Sequence, residues 1–190
     1  MKSDIILAGV GGQGILSIAT ILGYAALKLD LHLKQAEVHG MSQRGGDVMS
    51  CLRLSSDPIA SDLIPAGKVD LVISLEPMEA LRYVHLLAPG GRVITSTEPF
   101  VNIPNYPELE AVLAELAAVP GTVTIAAESI AKEVASPRSS NMALLGAAAP
   151  YIGLPAEVLE EGIRTIFGAK GEKIVENNLA AFRAGMKQGR

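Results

Sequence analysis

A short apolar run, Asp4-Ile5-Ile6-Leu7-Ala8, passes straight into Gly9-Val10-Gly11-Gly12-Gln13-Gly14, and then into a long apolar stretch from Ile15 to Leu29. An apolar run this short, bounded by polar and glycine residues, reads as a buried strand. A glycine-rich turn between a strand and an apolar helix opens a doubly wound α/β fold. Gly9, Gly11 and Gly14 keep the G-x-G-x-x-G spacing. Glycine there permits a tight turn and close backbone approach, and the free N–H groups of the helix start favour a phosphate or carboxylate. The same glycines would equally serve to pack the strand closely on its helix.

The alternation continues. Strands are predicted over 3–9, 31–38, 48–54, 70–75, 92–95 and 122–126, and helices over 12–29, 76–87 and 107–118. Pro89-Gly90-Gly91 reads as a turn into the fifth strand. From Glu128 onward the pattern is helical, over 128–135, 139–149, 155–167 and 171–186, with Ser139-Ser140-Asn141 placed to cap the second of these and Pro155 in the first turn of the third. The expected architecture is α/β: a mostly parallel, Rossmann-like sheet with helices on both faces and a helical C-terminal third. A single domain over 1–190 is expected, long enough to bury roughly 70% of its unfolded surface.

Composition narrows the function. Apolar residues make up 49% of the chain, a surplus that suits an obligate interface. A net charge of −4 gives no footprint for nucleic acid or an anionic membrane. Cys51 is the one cysteine. It excludes an internal disulfide and an iron–sulfur cluster held by this chain alone, since a cluster takes about four thiolates. Three histidines without ligand spacing predict no metal site. The apolar stretch 15–29 is interrupted by Ser17, Thr20, Tyr24 and Lys28, so no membrane span is expected. Met1-Lys2-Ser3-Asp4 leaves no room for a signal peptide, and a cytoplasmic location is expected.

The second strand ends at Glu37, near the place where a dinucleotide-binding unit carries its ribose-binding acid. The next residues depart from that unit: Val38-His39-Gly40-Met41-Ser42-Gln43-Arg44-Gly45-Gly46 is a long polar, glycine-rich loop. Loops of this length in compact domains are often functional. Arg44 has a planar fork suited to carboxylate or phosphate, and Gly45 and Gly46 let a ligand or partner approach the backbone. Glu37 and Glu76 fall at the carboxyl ends of predicted strands, where ligands gather in open parallel sheets. Glu76 and Asn141 serve equally as helix caps. His39 lies in the glycine-loop region, placed to reach a ligand. His32 and His85 read as ordinary strand and helix residues, Cys51 as an inert buried thiol, and Arg138 as a candidate anion contact.

Together, the two glycine loops, Ser74-Leu75-Glu76-Pro77 with Glu79-Ala80-Leu81-Arg82, Ser140-Asn141-Met142-Ala143-Leu144-Leu145-Gly146, and the ending from Lys173 to Gly185 resemble the gamma-type domain of the 2-oxoacid:ferredoxin oxidoreductases over nearly the whole chain. Within that family the resemblance is strongest to the indolepyruvate branch. It implies an accessory subunit of an enzyme that uses thiamine diphosphate to decarboxylate a 2-oxoacid oxidatively, passes the acyl group to coenzyme A and sends electrons through iron–sulfur clusters to ferredoxin. Thiamine diphosphate, magnesium and the clusters are then expected in a larger alpha subunit. The chain has no Gly-Asp-Gly followed by Asn, the usual diphosphate–magnesium signature. Carried over by position, Gly11, Gly12, Gln13 and Gly14 form one loop and Ser42, Gln43, Arg44, Gly45 and Gly46 the other, at the subunit contact or beside coenzyme A. No catalytic residue is expected in this chain, and alone it is expected to be inactive. A free-standing NAD(P)-dependent dehydrogenase and an assembly module without a ligand are the competing readings.

Overall fold

The computed structural model describes residues 1–40 and 45–189, without the side chain of His39. In chain order the elements are β1 (Lys2–Val10), α1 (Ile15–Lys28), β2 (His32–His39), β3 (Asp47–Ser55), β4 (Val69–Ser74), α2 (Pro77–Tyr83), β5 (Leu87–Ser96), α3 (Leu109–Ala118), β6 (Thr122–Ile125), α4 (Ala127–Val134), α5 (Ser140–Ile152), α6 (Ala156–Gly168) and α7 (Glu172–Gln188). The six strands form one sheet in the order β2-β3-β1-β4-β5-β6.

The pairs β1–β4, β4–β5 and β5–β6 are parallel, and β3 runs antiparallel to both β1 and β2. A parallel return needs a crossover of about a dozen residues or more, so a shorter link returns a strand antiparallel to its predecessor. The β2–β3 loop, residues 40–46, is such a link. It places β3 between the first two strands and leaves β2 at the edge.

The run at 5–8 is apolar at every position because β1 is covered on both faces. Ile5 and Leu7 join the larger core cluster with Ile18, Leu22, Leu144 and Phe182, while Ile6 and Ala8 join Val72, Val93, Val112 and Leu116. One layer is therefore built by α1 and the C-terminal helices, the other by α2 and α3. Helix α5 is buried at every position from Asn141 to Ala149, as a helix enclosed on all sides must be.

Three local expectations need correction. Helix α1 begins at Ile15, not at residue 12, because Gly14 takes a left-handed backbone at φ 81° that a helix does not propagate. Pro89-Gly90-Gly91 lies inside β5 rather than before it. Val69 pairs with Leu87 and Leu71 with Arg92, so the intervening residues form a bulge. Pro155 is the residue preceding α6, not part of its first turn. Among the described residues no helix is long and apolar enough to cross a membrane.

Candidate functional site

The carboxyl ends of β1, β4 and β5 share one rim of the sheet with the β2–β3 loop. There the two glycine segments meet. The antiparallel ladder runs to Val10 opposite Asp47 and continues one step further: Gly11 N–H donates to Gly46 O at 2.8 Å, and Gly45 N–H donates to Gly11 O at 3.2 Å. The insertion of β3 beside β1 is what makes them neighbours.

Gln13 closes the first loop from within. Val10 N–H donates to its Oε1 at 2.8 Å, and its Nε2 donates to Leu75 O at 3.4 Å, reaching the end of β4. Gly9 packs where a β-carbon would stand 2.9 Å from that Oε1. Gly14 faces α5: Asn141 Nδ2 donates to Gly14 O at 3.1 Å. The expected cap at the start of α5 is not formed. Ser139 occupies the N-cap position without a side-chain bond, and Asn141 spends its amide on the glycine loop.

Between this loop and the C-terminal helices lies a cavity of about 390 Å³, with Gly12, Gly14, Arg138, Asn141, Lys170 and Asn178 in its wall. Two cations and the start of α1 suit it to an anionic group. Asn141 is only 6% exposed, and its Oδ1 is buried with no hydrogen-bond partner. A buried acceptor left unpaired costs about 1–3 kcal/mol, and a ligand N–H or O–H would satisfy it. Arg138, the candidate anion contact of the sequence, stands in this wall. Lys170 belongs to none of the sequence motifs, and Asn178, inside the ending from Lys173 to Gly185, is not singled out there, although it carries a signal. It sits with Val175, Leu179 and Phe182 on the buried stripe of α7, where a polar residue needs a reason.

Glu76 is 1% exposed at the end of β4. It caps α2, Glu79 N–H donating to its Oε2 at 2.8 Å, and it also accepts from Tyr106 Oη at 2.5 Å. Burial pushes the Glu76 carboxyl above its usual range, against the donors that favour its charged form. Burial and the facing carboxylate together push the Tyr106 phenol up.

The structure does not gather every expected residue. Glu37 is exposed on edge strand β2, with Gln35 Nε2 donating to its Oε1 at 2.5 Å. It stands opposite Ser50 of β3, and Ser50 opposite Leu7 of β1, so a whole strand separates it from β1. Ser42, Gln43 and Arg44, and the side chain of His39, lie outside the described residues. His32 starts β2, His85 lies in the turn after α2, and Cys51 is buried in β3, where burial pushes its thiol up.

Known proteins place this geometry. The family described as pyruvate ferredoxin/flavodoxin oxidoreductase matches residues 4–188. The indolepyruvate oxidoreductase subunit IorB of Pyrococcus horikoshii is 38% identical over 97% of this chain and 94% of its own length. Among solved structures, the gamma subunit of a keto/oxoacid ferredoxin oxidoreductase from Geobacter sulfurreducens superposes with a TM-score of 0.71 at 23% identity over 98% of both chains. The 2-oxoglutarate:ferredoxin oxidoreductase of Magnetococcus marinus, with 2-oxoglutarate, coenzyme A and succinyl-CoA bound, superposes with a TM-score of 0.77 at 24% identity, over 99% of this chain and 31% of that one. These two share the mixed six-stranded fold. By its sequence match across almost its full length, the chain belongs to the pyruvate ferredoxin/flavodoxin oxidoreductase family.

Proposed function

We propose that this chain is the accessory subunit of a thiamine-dependent 2-oxoacid:ferredoxin oxidoreductase of the indolepyruvate kind, working in the cytoplasm beside a larger alpha subunit. The complete enzyme would convert an arylpyruvate, coenzyme A and oxidised ferredoxin into the aryl-acetyl-coenzyme A, carbon dioxide and reduced ferredoxin. The observation that carries the reading is the pairing of Gly11 with Gly45 and Gly46 at the ligand-gathering rim of the sheet. Two backbone segments so joined form one wall, suited to sealing a reaction centre that another polypeptide supplies.

The hard chemistry belongs to thiamine diphosphate, magnesium and iron–sulfur clusters. The chain's one thiol, Cys51, is buried within β3 and does not suit a cluster. Coenzyme A fits better. Its phosphates suit Arg138, Lys170 and the start of α1, and its amide or adenine N–H groups would satisfy Asn141 Oδ1. Glu37, a strand removed from β1, weighs against a dinucleotide held in the usual way.

Co-expression with a chain carrying cysteine-rich cluster motifs and a thiamine signature tests the assembly. Co-elution in size-exclusion chromatography is expected, with 2-oxoacid oxidation by the complex and none by this chain alone. Asn141→Ala in the complex should weaken coenzyme A about tenfold, the equivalent of about 1.4 kcal/mol. Failure to co-elute with any cluster-bearing chain, or unaided turnover, would remove the proposal.

A further inference from the structure

We propose that residues 97–108, between β5 and α3, are a strap that holds the two glycine loops against each other, with Glu76, Tyr106 and Asn102 as its positioning residues. The twelve residues from Thr97 to Glu108 carry no helix or strand. Connections in such folds typically take about 2–6 residues. This one includes Pro99, Pro104 and Pro107, which narrow the backbone it can adopt. A long connection kept in one shape needs fixed points, and the strap has them along its length.

At its start, Thr97 N–H donates to Ile125 O at 2.9 Å, and Glu98 accepts from Glu128 N–H at 2.6 Å and from Ser129 Oγ at 2.5 Å. In its middle, the Phe100 N–H lies near enough to the buried Glu76 carboxylate to favour its charged form. Near its end, Tyr106 Oη donates to the same carboxylate. Between those two, Asn102 Nδ2 donates to Gly45 O at 2.5 Å. Gly45 is the residue whose N–H reaches Gly11. The contacts therefore form one chain: Glu76 at the end of β4, the strap, Gly45 in the second loop, Gly11 in the first. Glu76 holds the strap through Tyr106, four residues beyond Asn102, and Glu98 holds it at its start, so the Asn102 amide is presented to Gly45 O from a segment fixed on both sides.

Among the described residues, Gly45 and Gly46 are otherwise tied to the first loop by the two glycine–glycine bonds. The strap adds a third tie from an independent element. These contacts carry the strap by themselves, and its consequence for coenzyme A rests on the reading in the preceding section.

Amide hydrogen exchange on the full-length chain by NMR tests it, using Asn102→Asp, which keeps the size but removes the donor, and Tyr106→Phe, which removes only the hydroxyl. One hydrogen bond is worth on the order of 1 kcal/mol net, so exchange of the Gly11 and Gly45 amides should quicken about fivefold in each variant. The Leu7 and Ile73 amides of the central ladder should exchange at the original rate. Unchanged exchange at Gly11 and Gly45, or an equal rise at all four amides, would overturn the proposal, since the first denies the tie and the second makes it general stability. In the assembled enzyme, the same variants should raise KM for coenzyme A about fivefold with kcat retained at saturation. Faster glycine exchange with KM unchanged would uphold the strap and discard the coenzyme A reading.

Discussion

Asn141 and Gly14, 127 residues apart in sequence, are joined by the bond from Asn141 Nδ2 to Gly14 O, and a β-carbon on Gly14 would stand 2.6 Å from that same nitrogen. The contact fixes the start of α1 against α5, and it is tight enough to exclude a side chain. Gly14→Ala should be destabilising twice over. A non-glycine residue at φ 81° costs about 1–2 kcal/mol, and the methyl group displaces the amide. Asn141→Ala removes the second penalty. The double variant should therefore fall short of the summed single losses by about 1 kcal/mol in urea denaturation. Strict additivity would mean that the two residues do not press on each other.

Helices α5 and α7 meet through backbone. A β-carbon on Gly185 would run into Ala143 O, and one on Gly146 into Phe182 O. Neither obstacle is a flexible side chain, so the helices themselves must separate. Overpacking in a tight core costs typically 1–3 kcal/mol. Gly185→Ala should reach about 3 kcal/mol or more, although alanine is the better helix former by about 1 kcal/mol. Gly168→Ala, with open space around the new methyl, is the control and should lose little. Equal stability of the two variants by thermal denaturation would contradict the close approach.

Much of the fold was legible because burial on both faces writes itself into a strand. Ile5 to Ala8 is apolar throughout since both layers cover it, and the shift to helical periodicity after Glu128 marks the layer containing α5 and α7. The first glycine loop was legible for the same local reason. The position of β3 was not. Apolar alternation over 48–54 signals a strand, but nothing local records which neighbour it takes, and Glu37 was assigned a role that required β2 to lie beside β1. Asn141 failed as a cap for a related reason. An asparagine at the start of a helix looks the same whether its amide serves that helix or a glycine brought in from the other end of the chain. Glu76 met its expectation as a cap through one oxygen, while the other accepts from Tyr106, a partner thirty residues away that nothing local to Glu76 records.

Glu98 supplies a cap that its helix lacks. Ala126 precedes α4 and has no side chain to offer, yet the carboxylate of Glu98 receives Glu128 N–H and Ser129 N–H from across the sheet edge. Loss of a good cap costs typically about 1 kcal/mol. Glu98→Ala should lower stability by about that much, while Glu98→Gln, which keeps one acceptor oxygen, should lose about half. Denaturant midpoints give the comparison. A neutral Glu98→Ala would show that α4 is held by packing alone.

Arg53 and Asp4 make the final test one of pH. Asp4 is 1% exposed in β1, and Arg53 grips both of its oxygens, at 2.7 and 3.2 Å. Arg53 also reaches Ser61 O and Leu63 O, so one guanidinium ties the loop after β3 to the sheet. Burial works to push the Asp4 carboxyl up, but Arg53 and Lys2 outweigh it and hold the carboxyl below its usual range. A depressed folded value means that the unfolded chain takes up the proton first. The stabilisation is therefore present above the ordinary carboxylate range and is lost as pH falls through the lowered value. Arg53→Met leaves a buried carboxylate with only the half-exposed Lys2 for company, which should cost about 2–4 kcal/mol at neutral pH. In that variant burial prevails, the Asp4 carboxyl rises, and its penalty fades as the group is protonated. The stability gap between the two proteins should then narrow from about pH 7 to about pH 4. Urea midpoints that decline in parallel over that interval would show that Arg53 does not set the charge state of Asp4.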